Sequence, residues 1–139
     1  MNKYSKKSRT RLDSCHPLII MLFESVLKDH DHSILEGHRP EERHNEYLRQ
    51  GRTKVTYDKT KHRFKPSRAV DATPYPIPKN WGKDDPEELA RFYYFAGIVM
   101  GRAEAMGIPL RWGGDWDGDD SFKDQTFDDL VHFELVGDL

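Results

Sequence analysis

His62, Asp71 and His132 are three residues whose types could together hold a metal ion. They sit in the segments KHRFKPSRAVDATPYP (61–76) and FDDLVHFELV (127–136). Two imidazoles and one carboxylate would give a zinc ion three protein ligands and leave a fourth position open for water. That is the layout of a catalytic rather than a structural site. Asp129, three residues before His132, could take a proton from such a water. Asp128 competes for that role, but its spacing points it toward solvent or a turn. The residues thus read as a small metal-dependent hydrolase. A lone histidine has many other roles, so the reading stands only if separate elements bring all three side chains together.

Two strands are expected to do so. RAVDAT (68–73) carries Asp71, and VHFELV (131–136) carries His132. Side chains alternate along a strand. Asp71 should share a face with Ala69 and Thr73, and His132 a face with Glu134. Val131, Phe133 and Leu135 would form the apolar face. His62 precedes the first strand, in a polar loop over 52–68. Loops of that length are usually functional or disordered. A carboxylate buried beside Val70 and Ala72 is costly without a partner, and a cation would be one.

The remaining chain supplies a frame. Pro17 to Lys28 reads as a helix capped by Asp13 or Ser14, and SILE (33–36) as a short strand. PEERHNEYLRQ (40–50) reads as a helix stopped by Gly51. Asp85-Pro86-Glu87-Glu88 is a helix start, with an N-cap, a proline in the first turn and acids beside the positive helix end. That helix runs to Gly107 and is apolar on several sides, which marks it as the central packed helix. Ile108 to Trp112 reads as another strand. Residues 1–12, with Lys3, Lys6, Lys7, Arg9 and Arg11, read as a loose basic arm. The sum is one α+β domain over 1–139, with mostly antiparallel strands.

Composition sets limits. One cysteine, Cys15, excludes an internal disulfide and a cysteine zinc cluster. The apolar run LIIMLF (18–23) is too short for a signal-peptide core or a membrane span. A formal net charge of −2 gives no global pull toward nucleic acid. Charge is uneven, however. Residues 49–68 are mostly basic and could draw an anionic polymer, while the last quarter is acidic.

The spaced segments KHRFKPSRAVDATPYP, RWGGDW (111–116) and DDLVHFEL (128–135) resemble the zinc D,D- and L,D-peptidases of bacterial cell walls. More narrowly they resemble the phage L-alanyl-D-glutamate endopeptidase endolysins, with a pattern S-x-H, then A-x-D, then a late acid-x-x-H. The resemblance covers roughly residues 13–136. It implies a hedgehog/DD-peptidase-like α+β fold, a small antiparallel sheet packed with about three helices. It also implies one zinc ion on His62, Asp71 and His132, Asp129 as general base, and Arg39 (in EGHRP) helping to polarise the substrate carbonyl. Thr60 replaces the usual Ser, and the His-to-Asp gap is longer than the shortest version.

The function so implied is cleavage of peptidoglycan stem peptides, at L-Ala–D-Glu, for host lysis. A monomer would be made in the host cytoplasm and act on the wall after release, with no nucleic-acid partner and no integral membrane segment. The alternatives are a D-Ala–D-Ala carboxypeptidase of the same family and a non-catalytic, metal-stabilised wall-binding module. Asp115, Asp117 and Asp119 alternate as calcium-loop ligands do, but glycine is missing at the sixth position and glutamate at the twelfth. A polar turn is the favoured reading there.

Overall fold

The fold is taken from a computed structural model, which describes residues 1–115 and 129–137. Four helices flank one four-stranded sheet: α1 (Lys6–Asp13), α2 (Pro17–Leu27), α3 (Glu41–Arg49) and α4 (Pro86–Ala105). The strands are β1 (His32–Glu36), β2 (Ala69–Pro74), β3 (Leu110–Gly113) and β4 (Asp129–Leu135). Their order is β1-β2-β4-β3, with every neighbouring pair antiparallel. This is the expected α+β architecture, with one helix more than anticipated.

The core follows from two helical stripes laid on one face of the sheet. Ile19, Leu22, Phe23 and Val26 recur along one side of α2, and Phe92, Phe95, Ala96, Val99 and Ala103 along α4. Such spacing buries one side of a helix. Facing them are Ile34, Val70, Ala72, Trp112, Phe133 and Leu135. Phe133 meets the rings of Phe23 and Phe95 edge-on, with centroids 5.6 and 6.2 Å apart. The core thus occupies one face of β2 and β4 and leaves the other for polar side chains. Asp85 caps α4 by accepting from the Glu87 and Glu88 amides, as its sequence signals require.

The basic arm is a correction. Residues 6–13 are helical rather than loose. Ser5 caps the helix through the Ser8 amide, and Ser8 and Leu12, four apart, both turn inward. Before the helix, the Tyr4 hydroxyl reaches the Phe23 carbonyl (3.0 Å) and His32 Nε2 (2.6 Å). The many lysines and arginines hid this short buried stripe. The cap of α2 also differs: His16, not Asp13 or Ser14, accepts from the Leu18 amide through Nδ1.

The last strand begins two residues earlier than anticipated and is not regular. Trp112 pairs with Phe133, but Gly113 pairs with Asp129, so β4 carries extra residues over 130–132. Phe133 and Leu135 are core, but Val131 lines a cleft instead, and Leu130 packs against the core. Regular alternation would have turned Asp129 away from His132. The bulge brings both to the same side.

Candidate metal centre

His62 Nε2, Asp71 Oδ1 and His132 Nδ1 converge on one point, with separations of 3.3, 3.3 and 3.1 Å. Tetrahedral zinc ligands at about 2.0–2.1 Å stand about 3.3–3.4 Å from one another. The observed triangle comes within a few tenths of an ångström of that figure. Asp71 and His132 are direct cross-strand partners on β2 and β4, which explains their meeting. His62 comes from outside the sheet, on a 3₁₀ turn (Lys61–Arg63) capped by the Thr60 hydroxyl, which accepts from the His62 amide. Thr60 is buried and performs that capping with the hydroxyl a serine would offer.

The outer ring nitrogens are also engaged. His62 Nδ1–H donates to the Gly37 carbonyl at 2.7 Å. His132 Nε2–H donates to Glu134 Oε1 at 2.8 Å. With those protons directed outward in the neutral rings, the inner nitrogens would present lone pairs to a cation at the centre. This is the outer arrangement that fixes tautomer and orientation in metal-binding histidines. Gly37 is required for it, because a Cβ there would overlap the Arg11 carbonyl and the Ser14 hydroxyl. Glu134 is in turn held by Arg111 (2.7 Å) and Lys61 (3.4 Å).

The electrostatics point the same way. Burial pushes the Asp71 carboxyl up, but the charge and hydrogen bonds of the two imidazoles outweigh it and hold it well below the usual range. Burial opposes protonation of His132, yet hydrogen bonds to Asp71 and Glu134 raise its pKa to about 10. The cluster therefore attracts positive charge at its centre. A proton can satisfy it in part, whereas a divalent cation would satisfy all three donors. The residues present fit such an ion.

Asp129 stands close enough to feel the cluster. Burial, then the Asp71 carboxylate, pushes it up to about 6, against the pull of His132, His62 and Arg39. A carboxyl near neutrality suits proton transfer. Arg39 is buried, and three protein groups hold its guanidinium: Nε meets Glu36 (3.3 Å), Nη1 donates to His44 Nδ1 (3.0 Å), and Nη2 lies 3.5 Å from Asp71 Oδ2. His44 is fully buried on α3, and its Nε2–H donates to the Val55 carbonyl. All five residues singled out in the sequence line one cleft.

Sequence reasoning missed the supporting roles of Gly37, His44 and Glu134. Glu134 had a visible signal, since it shares the strand face of His132. Nothing in the sequence joined His44 to Arg39. Of the aspartates proposed for calcium, Asp117 and Asp119 lie outside the described residues, and Asp115 is at their edge.

Among the described residues no helix is long and apolar enough to cross a membrane. No curated protein matches the chain. Among solved structures it is similar in fold to the L-Ala D-Glu endopeptidase ChiX of Serratia marcescens. The match has a TM-score of 0.69 at 24% identity and covers 97% of this chain and 91% of that one. The family model described as phage L-alanyl-D-glutamate peptidase matches residues 1–136. Because that match spans nearly all of its 139 residues, the chain belongs to the phage L-alanyl-D-glutamate peptidase family, whose members act on peptidoglycan.

Proposed function

We propose that the chain is a single-zinc endolysin that hydrolyses the L-Ala–D-Glu amide of peptidoglycan stem peptides, with His62 Nε2, Asp71 Oδ1 and His132 Nδ1 holding the ion. The observation that carries this reading is the donor triangle of 3.1–3.3 Å with both outer ring nitrogens already bonded. When bound, zinc supplies Lewis acidity, drawing the pKa of water toward 7 and polarising the scissile carbonyl.

The protein's own groups do the rest. Asp129 takes the proton from the attacking water and returns it to the leaving amine. Its burial keeps its pKa close enough to neutrality for both transfers. Arg39 acts twice. It steadies the outer oxygen of Asp71, and its remaining N–H groups offer donors to the oxygen that gains charge. Glu36 and His44 hold the guanidinium in place, so this donor needs little reorganisation during the reaction. Arg52 and Lys59 on the cleft wall suit the carboxylates of the stem peptide. A pure wall-binding module has no need of a half-buried acid beside the donor triangle.

The test is digestion of purified walls with and without chelator, with the fragments identified by mass spectrometry. New amino termini at D-Glu that vanish with chelator support the reading. Release of free D-Ala would move the chain to the carboxypeptidase alternative, and intact walls would leave only binding.

A further inference from the structure

The cleft has a second lining that the hydrolytic chemistry does not use. Its cationic side chains Arg52 and Lys59 come from one stretch of chain, whereas Trp81 and Phe92 come from another. Trp81 is 54% exposed, although it is among the largest apolar side chains of the protein. One face of its indole lies on buried Phe92, with ring planes 10° apart and centroids at 5.9 Å. The rings are offset, so Phe92 covers only part of the indole and the rest is left exposed.

The backbone holds the ring there at a cost. Asn80, Trp81 and Asp84 have φ of 51°, 54° and 61°, the left-handed region that bulky residues avoid. Gly82 follows at φ 75° and packs so closely on α4 that an added Cβ would lie 2.7 Å from Leu89 Cα. The turn is closed by the Lys83 amide on the Asn80 carbonyl at 2.9 Å. Strain of this kind persists where the surroundings enforce it, and it clusters at ligand clamps. A flat, pinned, half-exposed ring inside the substrate cleft is a stacking platform.

The substrate class identifies what could stack. The residues flanking the proposed scissile bond are alanine, with a methyl group, and glutamate, with a carboxylate. Neither has a broad apolar face. One residue away on the alanine side, the stem peptide joins an N-acetylated sugar, whose pyranose ring presents a face of C–H groups. We propose that Trp81 is the floor of a carbohydrate subsite and that its exposed surface stacks on an amino-sugar ring of the glycan strand. The glycan end of the substrate then lies over Trp81, and the carboxylate-bearing end lies toward Arg52 and Lys59. This assignment rests on the peptidase reading above.

The experiment compares a disaccharide-tetrapeptide with the same tetrapeptide lacking sugar. The parent protein favours the sugar-bearing substrate. In Trp81→Ala the ratio of the two kcat/KM values falls about tenfold, the size expected for exposing one ring face, and the loss appears in KM. Trp81→Phe retains most of the ratio. A ratio equal to the parent's in Trp81→Ala overturns the proposal, as does a parent with no preference. A second readout is independent of cleavage. Adding a soluble N-acetylglucosamine oligomer to the full chain shifts the Trp81 indole N–H resonance, assigned by its absence in Trp81→Phe. If that resonance stays still, the subsite is refuted whatever the activity. If the resonance shifts but neither substrate is cut, the bond assignment fails and the subsite stands.

Discussion

Replacing Glu134 tests whether the histidine on β4 is a metal ligand with a prepared orientation. The carboxylate accepts from His132 Nε2 at 2.8 Å and is itself held by Arg111 and Lys61. Burial raises its pKa, but the hydrogen bond and charge of His132, then those of Arg111, outweigh burial and bring it down to about 2, so it is ionised at any working pH. Glu134→Gln keeps an acceptor and loses the charge. A charged hydrogen bond contributes about 1.5–3 kcal/mol and a neutral one about 0.5–1.5, so the difference is about 1 kcal/mol, or about fivefold in zinc affinity. Glu134→Ala removes the acceptor and leaves the charges of Arg111 and Lys61 facing the ring, so a loss of about 10–100-fold is expected. A competition titration against a chromophoric chelator reads these values directly, and thermal unfolding of the metal-free forms separates them from misfolding. Zinc affinity in a folded Glu134→Ala equal to the parent's would refute the reasoning, because it would mean His132 needs no outer partner or is not a ligand.

Other expectations follow from the same geometry. Asp129→Ala keeps zinc affinity in the chelator titration but lowers kcat by about 10²–10⁴-fold, the usual share of a general base; an active variant removes Asp129 from the mechanism. Gly37→Ala displaces the carbonyl that anchors His62, so it weakens zinc binding as well as stability, whereas stability loss alone would show that the anchor is dispensable. His32 gives a pH effect away from the metal. Burial lowers its pKa to about 4, so the fold holds it neutral. Its contribution is complete above about pH 6.5 and is lost as pH falls toward 4, at about 1.4 kcal/mol per unit. His32→Phe, among Tyr4, Phe23 and Phe95, should flatten the fall in stability over that window relative to the parent in urea unfolding; parallel curves would contradict it.

What the sequence made legible was whatever depends on local chemistry or on period. Asp85-Pro86 announces α4 because a cap and a first-turn proline act within four residues. Asp71 and His132 could be placed on facing strands because alternation predicts faces, and Glu134 follows His132 by the same rule. What stayed hidden depends on distant partners. The bulge over 130–132, which turns Asp129 toward the site, arises from the pairing of β4 with β3 and has no local mark. The link from His44 to Arg39 joins a helix to a loop through a buried nitrogen. The helix at residues 6–13 was masked because its inward residues are few and one, Ser8, is polar.

The most direct test of the central claim is the metal content of the purified chain, measured by elemental analysis beside His62→Ala, Asp71→Ala and His132→Ala. Our account predicts one zinc per parent chain and its loss, together with hydrolysis of the wall, in each folded variant. A parent that cleaves stem peptides without a bound transition metal, or three variants that retain it in full, would contradict that account.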